Sequence, residues 1–186
     1  MNKEISEKTL PVPKLLHELF GRRTTKAELA IVLASCILLS SILLFHTFDE
    51  WSELAVWKMI LLVILTLDIT GGVVANVTKG TNEYYQGSPE ARLVFLTIHV
   101  QPLILGWIFG NLLLCAIIWI FTISVAWIIT RIEKRDLQRT AGMASALLGL
   151  GILTLLSDTH FILNGLLALY ILKLVLSFAV DHDKAK

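Results

Sequence analysis

Apolar residues fall in long runs along this chain, separated by short polar segments, and the run lengths predict the elements. The first run spans residues 28–47, the second 53–77, and the last 161–180. At 1.5 Å per residue, about twenty helical residues cover the roughly 30 Å hydrocarbon core of a bilayer, so each run reads as one crossing. Between Arg92 and Arg131 no charged residue appears, a stretch of about forty residues and twice the length of one crossing. Two spans must share it, and Gly110-Asn111 is the turn-forming pair near its middle, which predicts a tight hairpin there. Pro102 lacks a backbone donor and predicts a kink in the third span about one turn past His99. A fifth run occupies residues 140–156, where Ala141, Ser145 and Gly149 at four-residue spacing offer a close-packing face.

The segments between the runs are less uniform. In the amino-terminal arm, residues 1–27, Leu15, Leu16, Leu19 and Phe20 recur at helical spacing beside Lys14, Glu18, Arg22 and Arg23. That pattern predicts a short amphipathic helix on a membrane surface, with a solvated tail as the alternative. Residues 78–90 are turn formers interrupted by Tyr84 and Tyr85, so this loop reads either as a lid over a site or as an interfacial loop with aromatic anchors. Trp51 and Trp57 fit an interfacial aromatic belt.

Composition narrows the class. Of 186 residues, 55% are hydrophobic and 17% charged, far too apolar a mixture for an ordinary soluble domain. The net charge of +1 gives no reason to expect a nucleic-acid partner; the placement of the charges is what informs. Basic residues collect in the arm, around residues 79–92, in the connector from Arg131 to Arg139, and in the tail at residues 181–186. The turns near His46, Gly110 and Asp158 hold none. Short cytoplasmic segments accumulate Lys and Arg, so the expectation is an all-α polytopic membrane bundle of six transmembrane helices over residues 28–180, with both termini cytoplasmic. Short loops and small size suit a bacterial inner, plasma membrane. The first run follows some 28 polar residues and shows no small-residue cleavage pattern, so no cleavable leader is expected. Cys36 and Cys115 each sit alone in an apolar run and read as small buried hydrophobes.

The candidate chemistry lies within the spans. Asp68 and His99 are ionisable groups in apolar runs, where such groups are costly and mark functional sites. Asp68, Gly72 and Asn76 step round a helix by only about 40° each, forming one stripe that must face the bundle interior. Counted from the span ends, Asp68, His99 and Lys173 all lie roughly 10 to 12 Å inside the cytoplasmic boundary. If they converge, Asp68 keeps its charge beside Lys173 or a protonated His99, and the histidine can exchange protons. Asp68 and His99 are the expected acid–base pair. Asn76, Thr70, Gln101, Arg92 and Lys173, with Tyr84 and Tyr85, would complete a polar pocket or line a pathway. Phosphate-binding glycine loops, zinc-hydrolase His-Glu pairs and nucleophile elbows are absent from the sequence. His46, Asp49, Glu50, Asp158 and His160 are metal-capable, but they stand on two short turns that need not meet, so no metal is assigned. No cofactor is assigned either. The expected partners are the bilayer and a lipid or small-molecule substrate, with self-association left open. Three classes fit: a membrane-embedded enzyme acting on an amphiphile, a proton-coupled carrier or channel, and a non-catalytic assembly partner whose buried charges specify helix packing.

Overall fold

The computed structural model describes residues 9–156 and 160–182; Asp158 and the end of the tail lie outside the described residues. Six helices are long and apolar enough to cross a membrane. They are α2 (Lys26–His46), α4 (Val56–Ala75), the pair α6 (Pro89–Ile98) and α7 (Gln101–Phe109), α8 (Leu112–Thr130), α9 (Arg135–Leu156), and α10 (Phe161–Ile171) with its continuation through Leu172–Phe178.

Local signals start and stop these helices. Thr25 and Glu28 form a reciprocal capping box before α2: Thr25 Oγ1 accepts from the Glu28 amide at 3.1 Å, and Glu28 Oε2 accepts from the Thr25 amide at 3.0 Å. Gly110, at φ 77°, ends α7 in the left-handed conformation that glycine tolerates best. Asn111 Oδ1 then accepts from the Leu114 amide and starts α8, so the expected hairpin is present. At the opposite side of the far end, Glu50 of the short helix α3 (Phe48–Trp51) caps α10 in trans, its two carboxylate oxygens each accepting at 3.0 Å from the amides of Phe161 and Ile162.

The core forms around α10. Ile162, Leu163, Leu166, Leu167, Tyr170, Ile171, Leu174 and Val175 are all buried, between α4, α7, α8 and α9. Helix α2 is the reverse case. It is just as apolar, yet Ile31, Ile37, Leu38, Ile42 and Phe45 are exposed, and it packs mainly on α4, where Ser40 Oγ and Thr70 Oγ1 share a 2.8 Å hydrogen bond. A helix with apolar side chains all round and most of them uncovered is suited to hydrocarbon rather than water.

Three elements differ from expectation. The arm is a small antiparallel hairpin, β1 (Thr9–Pro11) with β2 (Arg23–Thr25), whose connection holds the expected helical residues as a 3-10 turn (Lys14–Leu16) running into one α-helical turn, α1 (His17–Phe20). Segment 78–90 is not a loop but holds a helix, α5 (Lys79–Gln86), which buries Thr81, Asn82 and Tyr85 against the arm and the bundle. The last helix loosens into π-type turns over Leu172–Phe178, with Ala179 N donating to Leu174 O. Arm and α5 meet where two glycines touch: a Cβ on Gly21, which has φ 69°, would lie 1.9 Å from Gly80 O.

Candidate functional site

The third span is broken in two at His99 and Val100. Proline at the second position of α7 cannot donate, so the helix is restarted, and Gln101 becomes its first residue. The break frees backbone carbonyls that need donors. His99 O receives two, from Tyr170 Oη at 2.7 Å and from Trp119 Nε1 at 3.1 Å, and Ile98 O accepts from the Val100 amide at 2.9 Å. The discontinuity is thus held by side chains from α8 and α10, and it fixes both His99 and Gln101 at one level.

At that level Lys173 lies only 2% exposed and donates to Asp68 Oδ2 at 2.8 Å and to Asp68 O at 3.3 Å. Gln101 Nε2 donates to the same Oδ2 at 2.8 Å. Asp68, whose side chain is 38% exposed, therefore keeps Oδ1 without a protein partner among the described residues. It also sits at the start of α7, where the helix dipole favours a carboxylate. Lys173 reaches it across Gly72: a Cβ at that position would stand 2.3 Å from Lys173 Cε. Asn76 Nδ2 donates to Lys173 O at 3.4 Å, supporting the backbone within the π-type segment.

His99 is buried, with its ring against Phe95 at 3.8 Å between centroids. Its Nδ1 is hydrogen-bonded to Phe95 O. A carbonyl only accepts, so Nδ1 carries the proton and Nε2 presents a lone pair. Phe95 stacks on Phe178 at 4.1 Å, and Tyr85 closes this aromatic cluster edge-on, 4.9 Å from Phe95 and 5.0 Å from Phe178. Burial, reinforced by Glu18 and Tyr84, pushes the Tyr85 phenol well above its ordinary range, so it stays neutral and donates to Glu18 O at 3.3 Å.

These groups surround one cavity of about 310 Å³, lined by Asp68, Gly72, Asn76, Phe95, Ile98, His99, Gln101 and Lys173, with Glu18 and Leu19 of the arm as its remaining wall. The volume suits a small ligand or the head of a larger one. Acceptors dominate it: Asp68 Oδ1, His99 Nε2 and the buried, unpartnered Gln101 Oε1. Lys173 is the one ammonium among its lining residues. Away from the arm, the interior beyond the ion pair is filled by Leu62, Leu65, Leu105 and Leu166.

The structure thus brings together Asp68, His99, Asn76, Gln101 and Lys173. Thr70 is elsewhere, two residues and about 200° round α4 from Asp68, bonded to Ser40 and to Thr66 O. Arg92 lies a level nearer the arm, donating to Gln86 Oε1 and Ala179 O at 3.2 Å each. Tyr85 touches the site through Phe95, whereas Tyr84 lines a separate hollow with Arg22, Arg23 and Glu83. At the far end, His46 packs on Phe161 and His160 on Phe109; no group of three or more potential metal ligands occurs among the described residues. The sequence reading missed Tyr170, Trp119 and Phe95 and the arm's wall. Only Tyr170 carried a signal, three residues before Lys173 and so on the same helical face. No protein-family model, curated protein or solved structure matches the chain.

Proposed function

We propose that this chain is an integral protein of a bacterial inner membrane, spanning it six times with both ends in the cytoplasm, and that the Asp68 cavity performs acid–base chemistry on the polar end of an amphiphile. Six apolar helices and the gathering of basic residues at one end of the bundle support the topology. The observation that carries the chemistry is the shared cavity: a histidine with a fixed tautomer beside a lysine–aspartate pair, walled on one side by the arm and backed on the other by aliphatic packing. His99 Nε2 would take a proton from a substrate hydroxyl or amine and return it to the leaving group. Lys173 would stabilise the developing negative charge, while Asp68 and Gln101 hold it in place.

A carrier is the second reading, favoured by the interrupted third span and by the π-type turns facing it, since broken helices flank the sites of many transporters. One experiment separates the two. The purified protein is placed in nanodiscs of total bacterial lipid, and lipids are followed over time by mass spectrometry, beside His99→Ala at equal loading. The expected outcome is a lipid species consumed by the wild type and preserved with His99→Ala. An unchanged lipid profile, together with proton or solute flux into proteoliposomes that Asp68→Asn abolishes, would establish the carrier instead.

A further inference from the structure

On the other side of α6 from the Asp68 cavity, two hollows run into one another. The first, of about 410 Å³, is an apolar groove between α6 and α8 lined by Leu93, Leu96, Thr97, Ile123, Trp127 and Ile128, with Ser124. The second, of about 510 Å³, shares Leu93, Leu96 and Trp127 with it and lies where α6 begins and α8 ends. Its remaining lining is polar: Arg92 and Arg131, Glu90 and Glu133, and the uncharged Gln86 and Thr130. A tail-sized apolar groove opening into a charged hollow at the ends of two apolar helices has the shape of an amphiphile.

The charges define the head. Arg131, Glu90 and Glu133 form no ion pair among the described residues, and Arg92 feels the Asp181 carboxylate without a close ion pair to the two glutamates, although all four border one hollow. Arg131 lies 4.8 Å over the Trp127 ring, which places its guanidinium at the junction of groove and hollow. Arg92 is anchored by Gln86 and Ala179, yet its buried Nε has no partner. Charges of both signs at one opening match a ligand that carries both signs itself.

We infer that this groove binds a zwitterionic phospholipid with a primary amine, its phosphate on Arg131 and Arg92, its ammonium on Glu90 and Glu133, and one acyl chain along Leu93, Ile123 and Ile128. The inference rests on membrane insertion but not on acid–base chemistry at Asp68.

The test is native mass spectrometry of the purified full chain in mild detergent, offered chain-matched phosphatidylethanolamine, phosphatidylglycerol and phosphatidylcholine. One phosphatidylethanolamine should be retained roughly tenfold more than the other two, as charge-assisted hydrogen bonds at both ends of the head imply. Arg131→Gln and Glu133→Gln, both at exposed positions that leave the packing intact, should each reduce retention to the level of the other lipids. Ser124→Trp, which fills the tail groove, should abolish it, and Asp68→Asn should leave it unchanged. Equal retention of all three lipids, unaltered by the arginine and glutamate variants, would overturn the proposal in favour of nonspecific boundary lipid. Competition by glycerophosphoethanolamine as strong as by the whole lipid would overturn it in favour of a site for a soluble head alone. Loss with Asp68→Asn would assign the lipid to the other cavity.

Discussion

The two halves of the last helix make opposite use of burial. From Ile162 to Leu167 the buried side chains are aliphatic, packed with Leu62, Leu105 and their neighbours, except for Asn164, whose buried Oδ1 has no partner among the described residues; from Tyr170 to Phe178 the same helix carries a phenol, an ammonium and π-type turns, and faces a broken helix. Both halves are largely buried, so desolvation weighs on both, and the second gathers the ionisable groups that suffer most from it, Asn164 being the polar exception in the first. The first half stabilises mainly by packing. In the second, each polar atom must find a partner, and the helix geometry yields to allow it. Stability and chemistry are thereby separated along one element, about two turns apart.

That contrast can be broken most forcefully at the ion pair. Asp68→Leu strands Lys173, which is 2% exposed, and should cost roughly 3–5 kcal/mol; Lys173→Met leaves an aspartate with a 38% exposed side chain and should cost distinctly less. The double variant should recover most of the loss. Unfolding in mixed detergent micelles measures all three, and equal costs for the two single variants would show that burial does not set the asymmetry. In the aliphatic half, Leu166→Ala should cost about 2–5 kcal/mol through the cavity left behind, without altering the lipid turnover described above. Loss of turnover at unchanged stability would deny the separation. The smallest effect is expected from Tyr170→Phe, about 0.5–1.5 kcal/mol, because His99 O keeps its bond from Trp119.

How far the sequence reaches follows the same division. Run lengths, Gly110-Asn111 and Pro102 announced the six long helices, the tight hairpin and the interruption near His99, because each is a local property of a few residues. The common depth of Asp68, His99 and Lys173 was a matter of counting, and the pairing of Asp68 with Lys173 follows it. Thr70 was grouped with Asp68 although 100° per residue places it on the far side of α4, a contradiction legible without coordinates. The remainder was not legible. Whether the arm folds as a helix or as a hairpin depends on its docking to α5, through contacts such as Thr81 Oγ1 to Leu19 O at 2.9 Å, and these join residues far apart in the chain. Likewise, the apolarity and length of run 161–180 do not distinguish it from α2, and only Lys173 within it hints that one is the centre of the bundle and the other its rim.

The wall formed by Glu18 and Leu19 has a consequence for the order of assembly. Those residues leave the ribosome before α5, which holds them through Thr81 and Tyr85, and before Lys173, which they help to enclose. The earliest part of the cavity to be synthesised therefore cannot be seated until α5 follows it, and the cavity is complete only once Lys173 has been made. Without the arm in place the cavity lacks the wall formed by Glu18 and Leu19, and the lysine–aspartate pair, whose aspartate side chain is 38% exposed even with the arm docked, stands further open to water.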